Sequence, residues 1–313
     1  MTQAIYECNA RIVVSDIDDT LAPPFKPVPS ETLRLIERLI EDGGYFFLST
    51  GQGIENVRTR VLDLLSESAR KSVLVSVCNG AEVYSFGDRG ELERVFLAWE
   101  TDELTRFSVE IAGLIEVIKK EFDFDLIYCS SPEEFHSSIR SNLFYPVMVD
   151  DRESQVTIEF LSQPEEFSRG SECVEVLRQR VFDFCCEYLR IEGLPYEAIL
   201  GGTTAIDFQK KGTNKGLPIS KLFAKCENLH FSKSGVKYES ADQIEVWGDS
   251  FSIDPLGGDC ALNLALPDSK CISFRKFQQS HKYAPGVVEW QGEYELSEGL
   301  YEYLDGKVAH RRL

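Results

Sequence analysis

The 313-residue chain lacks any apolar run approaching the roughly 18 residues that a membrane-spanning helix requires, which excludes a helical membrane protein. Met1 to Asn9 has no basic stretch followed by an apolar core, so no secretory leader is expected. Histidine is scarce, with His136, His230, His281 and His310 making up all four. The nine cysteines (Cys8, Cys78, Cys129, Cys173, Cys185, Cys186, Cys226, Cys260 and Cys271) are odd in number, scattered and never in a CxxC pair. These two shortages argue against a disulfide scaffold and a zinc site, and they point to reduced thiols in a cytoplasm. Positive charge is short too: 33 Lys and Arg against 52 Asp and Glu give a net charge of −19. Such a field excludes non-specific binding to nucleic acid or to an anionic membrane, and it repels a small anion unless something local reverses the sign.

What is present reads as a folded soluble protein. Hydrophobic residues make up 43%, aromatics 11% and charged residues 27%, too apolar for disorder. The length corresponds to about two domains or one large α/β unit. Arg11 to Ser15 is a β-branched run that suits a buried strand and ends in the acidic cluster Asp16-Ile-Asp-Asp-Thr-Leu21. A proline-rich loop follows. Ser30 is then a candidate N-cap for a helix with the stripe Leu35, Ile36, Leu39 and Ile40, closed by Gly43-Gly44. Tyr45 to Leu48 is a second strand, a helix carries Val57, Val61, Leu64 and Leu65, and Val73 to Cys78 is a third strand. Asn79-Gly80 marks a tight turn into Ala81 to Phe86, hence a hairpin.

Strands alternating with helices at these lengths predict right-handed crossovers and a mostly parallel sheet, with ligands beyond the carboxyl ends of its strands. From Gly87 to Thr204 the texture changes to a strand, a helix from Asp102 to about Glu121, an irregular stretch, a strand (Val156 to Leu161) and a helix over Val174 to Arg190. The expected organisation is a core of residues 1–86 and 205–313 holding an inserted α+β domain at 87–204. Gln243 to Trp247 is a further buried strand, ending in Gly248-Asp249.

Asp16 and Asp18 are one residue apart on extended chain, so both project to one side while Ile17 points into the core. Two carboxylates in one small volume raise one another's pKa unless a cation is bound, which suits an acid beside a nucleophile. The alternative is an acidic loop capping backbone amides. Val246-Trp-Gly-Asp-Ser250 repeats the pattern, with Asp254 five residues beyond Asp249. Hard cations such as Mg²⁺ take a few carboxylate oxygens, although Gly248 to Ser250 could equally be a turn and helix cap. Lys215 stands where a helix starts, the end that repels a cation, so it makes sense if aimed at a phosphate. Lys210 and Lys211 compete for that role. Thr50 offers a hydroxyl and neighbouring amides at a strand end, suited to an anionic oxygen or to an ordinary turn. No Gly-Lys-Ser/Thr follows, so this loop is not a Walker P-loop.

Taken in order, these pieces resemble the haloacid dehalogenase superfamily of phosphotransferases. Asp16 to Leu21 is similar to its first motif, Thr50-Gly51 to its second, Lys215-Gly216 to its third and Gly248-Asp249 to Asp254 to its fourth. The Asn79-Gly80 turn and the insert resemble the Cof-type branch with a C2 cap. The chain departs from that branch at Gln52, where many members have arginine, and at Ser252 and Ile253, where an asparagine precedes the last aspartate. The resemblance implies a Rossmann-like α/β core with an α+β cap and a Mg²⁺-dependent phosphomonoesterase acting on a small phosphorylated metabolite such as a sugar phosphate. It implies Asp16 as nucleophile and Asp18 as acid and base. Thr50, Gly51 and Lys215 would bind phosphate, and Asp16, Asp18, Asp249 and Asp254 would serve the metal site. A monomer or homodimer in the cytoplasm is expected, with neither nucleic acid nor membrane as partner. A hexose-phosphate mutase and a receiver-like protein that senses phosphate without turnover are the competing readings. Arg140, Arg152 and His136 in the insert are candidates for substrate contact or simple surface residues.

Overall fold

The computed structural model describes residues 11–87, 89–140, 143–162, 173–224, 229–231, 234–236, 243–254 and 256–310; Met1 to Asn9 and Cys226 lie outside them. Its strands are β1 (Ile12–Asp16), β2 (Tyr45–Ser49), β3 (Val73–Val77), β4 (Glu82–Phe86), β5 (Leu92–Leu97), β6 (Asp125–Tyr128), β7 (Pro146–Asp151), β8 (Val156–Glu159) and β9 (Tyr196–Gly201). There follow β10 (Ala205–Lys210), β11 (Leu229–Phe231), β12 (Ser234–Val236), β13 (Ile244–Gly248), β14 (Ser252–Asp254), β15 (Lys270–Ser273), β16 (Lys282–Tyr283) and β17 (Val287–Glu289). The helices are α1 (Ser30–Glu41), α2 (Ile54–Arg60), α3 (Glu67–Arg70), α4 (Thr101–Phe122), α5 (Pro132–Ser138), α6 (Val174–Ile191), α7 (Gly216–Ala224), α8 (Cys260–Ala265) and α9 (Leu296–His310). Among the described residues no helix is long and apolar enough to cross a membrane.

The larger sheet has eight strands in the order β17-β15-β13-β1-β2-β3-β4-β5, parallel from β17 through β3, with β4 and β5 antiparallel at one edge. β1 lies near its centre with every residue buried, as its run of apolar side chains requires of a parallel strand covered on both faces. Alternation divides those faces. Ile12, Val14, Ile244 and Val246 pack with Ile219 of α7 and Leu262 of α8, while Trp247 turns to the other side and meets Phe46 and, on α9, Tyr303 edge-on. Asp16 continues the Ile12–Val14 series, so it emerges on the side of α7 and α8.

The chain forms two compact units, Met1–Ala98 with Asn214–Leu313, and Trp99–Thr213. These boundaries differ from the sequence-based ones at 86/87 and 204/205. β5 hydrogen-bonds to β4 and so belongs to the larger sheet, and β10 pairs with β8 and β9 and so belongs to the smaller one. The smaller sheet runs β6-β7-β8-β10-β9. On one side it packs Ile158, Phe160, Ile206 and Phe208 with the buried faces of α4 and α6. Phe122, Phe124 and Tyr145 belong to that core, as does Cys185, whereas its neighbour Cys186 is exposed. The alternate positions Thr157, Glu159, Asp207 and Gln209 are polar yet buried. Burial pushes the Glu159 carboxyl up to about 7, although Arg152 and Thr204 pull the other way. Arg152 is engaged by Asp150 at 2.6 Å, and Arg140 donates to the carbonyls of Ser137 in the last turn of α5 and of Ile139 just after it.

Two local expectations change. Ser30 is the first helical residue rather than the cap, because Pro29 stands at the N-cap position and the Ser30 hydroxyl turns to Glu31. The second helix is interrupted at Val61, whose φ of −133° is not helical, so a 3₁₀ turn over Leu62–Leu64 follows and Leu64 faces solvent.

Candidate active site

Strand ends and helix starts of the larger unit converge on Asp16. Its Oδ1 accepts from Lys215 Nζ at 2.5 Å, and the same ammonium reaches Asp259 Oδ1 at 2.8 Å. All three side chains are nearly sealed from water. Lys215 immediately precedes α7 and Asp259 immediately precedes α8, so two helices on one face of the sheet deliver a shared cation and a second carboxylate to the end of β1. Burial drives the Asp16 pKa well above the ordinary carboxylate range; Lys215 opposes this, while Asp259, Asp249 and Asp18 add to it. Burial also pulls on Lys215, but Asp16 and Asp259 outweigh it and hold the ammonium protonated.

Asp18 lies on the loop after β1, where the amides of Thr20, Leu21 and Ala22 all point to the Ile17 carbonyl. Its Oδ2 accepts from the Thr50 hydroxyl at 3.2 Å, and Arg60 Nη1 lies 2.8 Å from Oδ1 as an ion pair without hydrogen-bond alignment. Arg60 cannot wander, since its guanidinium also donates to the carbonyls of Pro23 and Lys26 and to Asn56. Thr50 caps β2, and its hydroxyl accepts from the Gln52 amide. Beside it, Cys78, Asn79 and Gly80 are three consecutive residues with positive φ. The turn they form donates the Cys78 and Asn79 amides to the carbonyls of Gln52 and Thr50. A side chain on Gly80 would run into the Asn214 carbonyl, so this turn braces the Thr50-Gly51 loop and the approach to Lys215 together.

Asp249, at the end of β13, meets Arg275 rather than Lys215. Arg275 Nε and Nη2 donate to its Oδ2 at 2.9 and 2.7 Å. Burial and Asp259 raise the Asp249 pKa to about 6, with Arg275 opposing. Asp259 Oδ2 accepts from the backbone amides of Asp249 and Ser250, both at 3.0 Å. A Cβ on Gly248 would sit 2.5 Å from that oxygen, which is why glycine precedes Asp249. Asp16, Asp249 and Asp259 each offer one oxygen within 4.8 Å of the others. Asp254 is elsewhere: it is exposed on β14, 3.8 Å from Lys282 of β16. The chain between Asp249 and Asp259 leaves through β14, which pairs with β16, and the carboxylate that returns is ten residues on, not five. Lys210 pairs with Glu103 in the smaller unit, so of the three lysines only Lys215 contacts Asp16.

The residues not anticipated divide by signal. Arg275 follows a strand end, as Asp16, Thr50 and Asp249 do, and the same rule would have picked it out. Asp259 follows Gly257-Gly258 and precedes a short apolar helix, an N-cap pattern. Arg60 carries no local signal; only the packing of α2 brings it to Asp18.

Residues 13–233, more than half of the chain, match the family described as haloacid dehalogenase-like hydrolase. The chain belongs to that family and is a hydrolase. Solved structures share the fold across nearly its whole length. The C-terminal domain of the trehalose-6-phosphate phosphatase of C. albicans is similar at 12% identity and a TM-score of 0.63, covering 98% of this chain and 96% of that one. A phosphatase of the haloalkanoate superfamily from Bacteroides thetaiotaomicron is similar at 17% identity and a TM-score of 0.51, covering 95% of each. The IMP nucleotidase of Plasmodium falciparum, with IMP bound, is similar at 13% identity and a TM-score of 0.56, covering 98% of this chain and 69% of that one. No match is found among curated protein sequences.

Proposed function

We propose that this chain is a Mg²⁺-dependent phosphomonoesterase that releases phosphate from a small phosphorylated metabolite, with a sugar phosphate as the leading class. The observation that carries this is the Lys215 ammonium shared between Asp16 and Asp259 at a parallel-sheet strand end, with Asp18 held alongside by Thr50 and Arg60. Asp16 Oδ1 is engaged by Lys215, and Oδ2 accepts no hydrogen bond from the described residues. That oxygen attacks phosphorus in line; a P–Oδ2 bond forms as the bond to the leaving oxygen breaks, and Asp18 gives that oxygen its proton. Asp18 then takes a proton from water, whose oxygen displaces Asp16 and yields inorganic phosphate. Lys215 neutralises charge on the transferring group.

The residues suit a hard dication. Their donors are carboxylate oxygens, three of them gathered within 4.8 Å. Around them Asp16, Asp18, Asp19, Asp249 and Asp259 face Lys215, Arg60 and Arg275, so with every carboxyl ionised the cluster is two positive charges short. Mg²⁺ held by Asp16, Asp249 and Asp259 would supply charge neutralisation at the transferring phosphoryl group. Such an ion would also offset locally the repulsion of an anionic ester by the overall charge of −19. Seven described cysteines are free, which supports a reducing, cytoplasmic setting. Asp16→Asn tests the reading. Phosphate release from an aryl phosphate and from a panel of sugar phosphates should fall on the order of 10³-fold or more with the fold intact, and retained turnover would refute it.

A further inference from the structure

Asp19 is buried in no helix cap and takes no part in the reaction just described, yet it holds a backbone conformation that favours glycine. Its φ is +60°, within the loop gathered on the Ile17 carbonyl. Aspartate is among the few side chains that tolerate this region, and its carboxylate is engaged: Oδ2 accepts from Arg275 Nη2 at 3.0 Å. That same nitrogen, together with Nε, holds Asp249 Oδ2. Arg275 stands just past β15, the strand beside β13, and its carbonyl accepts from the Ser273 hydroxyl, so its starting point is fixed. Two nitrogens on one oxygen leave Asp249 Oδ1 without a hydrogen bond from the described residues. Two interactions of a planar fork with one carboxylate oxygen set the rotation of that carboxylate, which a single point charge would not do.

We propose that Asp19 and Arg275 form a clasp that orients Asp249 so that its free oxygen is presented to the cation. Both are positioning residues, and the inference rests on the reading of Asp16, Asp249 and Asp259 as a Mg²⁺ site. Outer partners of ligating carboxylates commonly govern metal affinity by 10- to 100-fold. Here the sign is diagnostic, because Arg275 is a cation beside an acidic cluster. Charge alone predicts that removing it tightens Mg²⁺, and orientation predicts that removing it weakens Mg²⁺.

The experiment is calorimetric titration of Mg²⁺ into chelator-treated protein without substrate, with melting curves of the metal-free proteins alongside. Arg275→Ala should weaken Mg²⁺ by about 10- to 100-fold, and Arg275→Gln, which keeps a donor, by less. Asp19→Gly should leave the metal-free melting temperature unchanged or raised, since glycine prefers that φ, while still weakening Mg²⁺. In the Arg275→Ala background the Asp19→Gly effect should vanish, because both residues act through one clasp. Unchanged or tighter binding in Arg275→Ala and Arg275→Gln, or an Asp19 effect that persists in the double variant, overturns the clasp while the site reading stands. A wild-type protein that binds no Mg²⁺ overturns the site reading and the clasp with it.

Discussion

Two buried carboxylate–lysine pairs lie on adjacent strands of the larger sheet, and they reach opposite electrostatic states. On β13, Glu245 accepts from Lys307 Nζ at 2.7 Å, from the Tyr303 hydroxyl at 2.9 Å and from Trp247 Nε1 at 3.0 Å, with Lys270 3.5 Å away. Burial would raise its pKa, but Lys307, Lys270 and Tyr303 together hold it below the ordinary value. On β1, Asp16 has one lysine, shares it with Asp259, and faces Asp249 and Asp18 besides; its pKa stays well above the ordinary value. The first pair is complete and fastens α9 to the sheet. The second is deprived of positive charge, the condition in which a site has something to gain from binding a cation.

The sharpest way to break this comparison is to unbalance the completed pair. Lys307→Met leaves Glu245 buried without its main partner and should cost about 3–5 kcal/mol of stability, measured by denaturant unfolding, with phosphate release per folded molecule unchanged. Equal loss of activity in the folded fraction would mean that the two pairs are not independent. Next in size, Asp259→Asn should weaken Mg²⁺ binding and lower phosphate release by roughly 10- to 100-fold, whereas Asp254→Asn, exposed near Lys282, should leave both within error. A reversal of those two would return the fourth motif to the spacing first expected from sequence. The smallest effect is on pH dependence. The Asp249 pKa in the folded, metal-free protein, about 6, lies above its unfolded value. The stability it contributes is therefore full below about pH 4 and lost as pH rises through about 6. Asp16 shifts in the same direction. Without metal the melting temperature should fall from pH 5 to pH 7.5 by on the order of a few degrees, and Mg²⁺, which needs ionised carboxylates, should restore more of it at pH 7.5 than at pH 5.

Much of the larger unit was legible because a parallel strand buried on both faces writes itself as a short apolar run. Ile12 to Val14, Phe46 to Leu48 and Glu245 to Trp247 each end at a residue that the sheet then presents; that rule made Asp16 and Thr50 candidates, and Asp249 joined them only beside the other motifs, since alone it reads equally as a turn and helix cap. The smaller unit was less legible. Its first helix was plain, but β6, β7 and β9 were not anticipated, and β10 was assigned to the core, since an antiparallel strand alternates and carries no mark of which sheet it joins. Asp254 shows the limit at the site: a count of five residues is compatible with a ligand only if the chain stays in place, and here it departs into β14.

The sequence by itself determined which strand ends carry acids, hydroxyls and a lysine, and therefore the family and the nucleophile expected of it. Periodicity and strand-end position are local properties that neighbouring residues encode. Only the tertiary structure decided that Asp259 rather than Asp254 shares Lys215, that Arg60 reaches Asp18, and that Arg275 joins Asp19 to Asp249. Those contacts span 44, 42, 256 and 26 residues of chain, and their energy depends on burial and on the sum of nearby charges, quantities that exist only once the chain is packed.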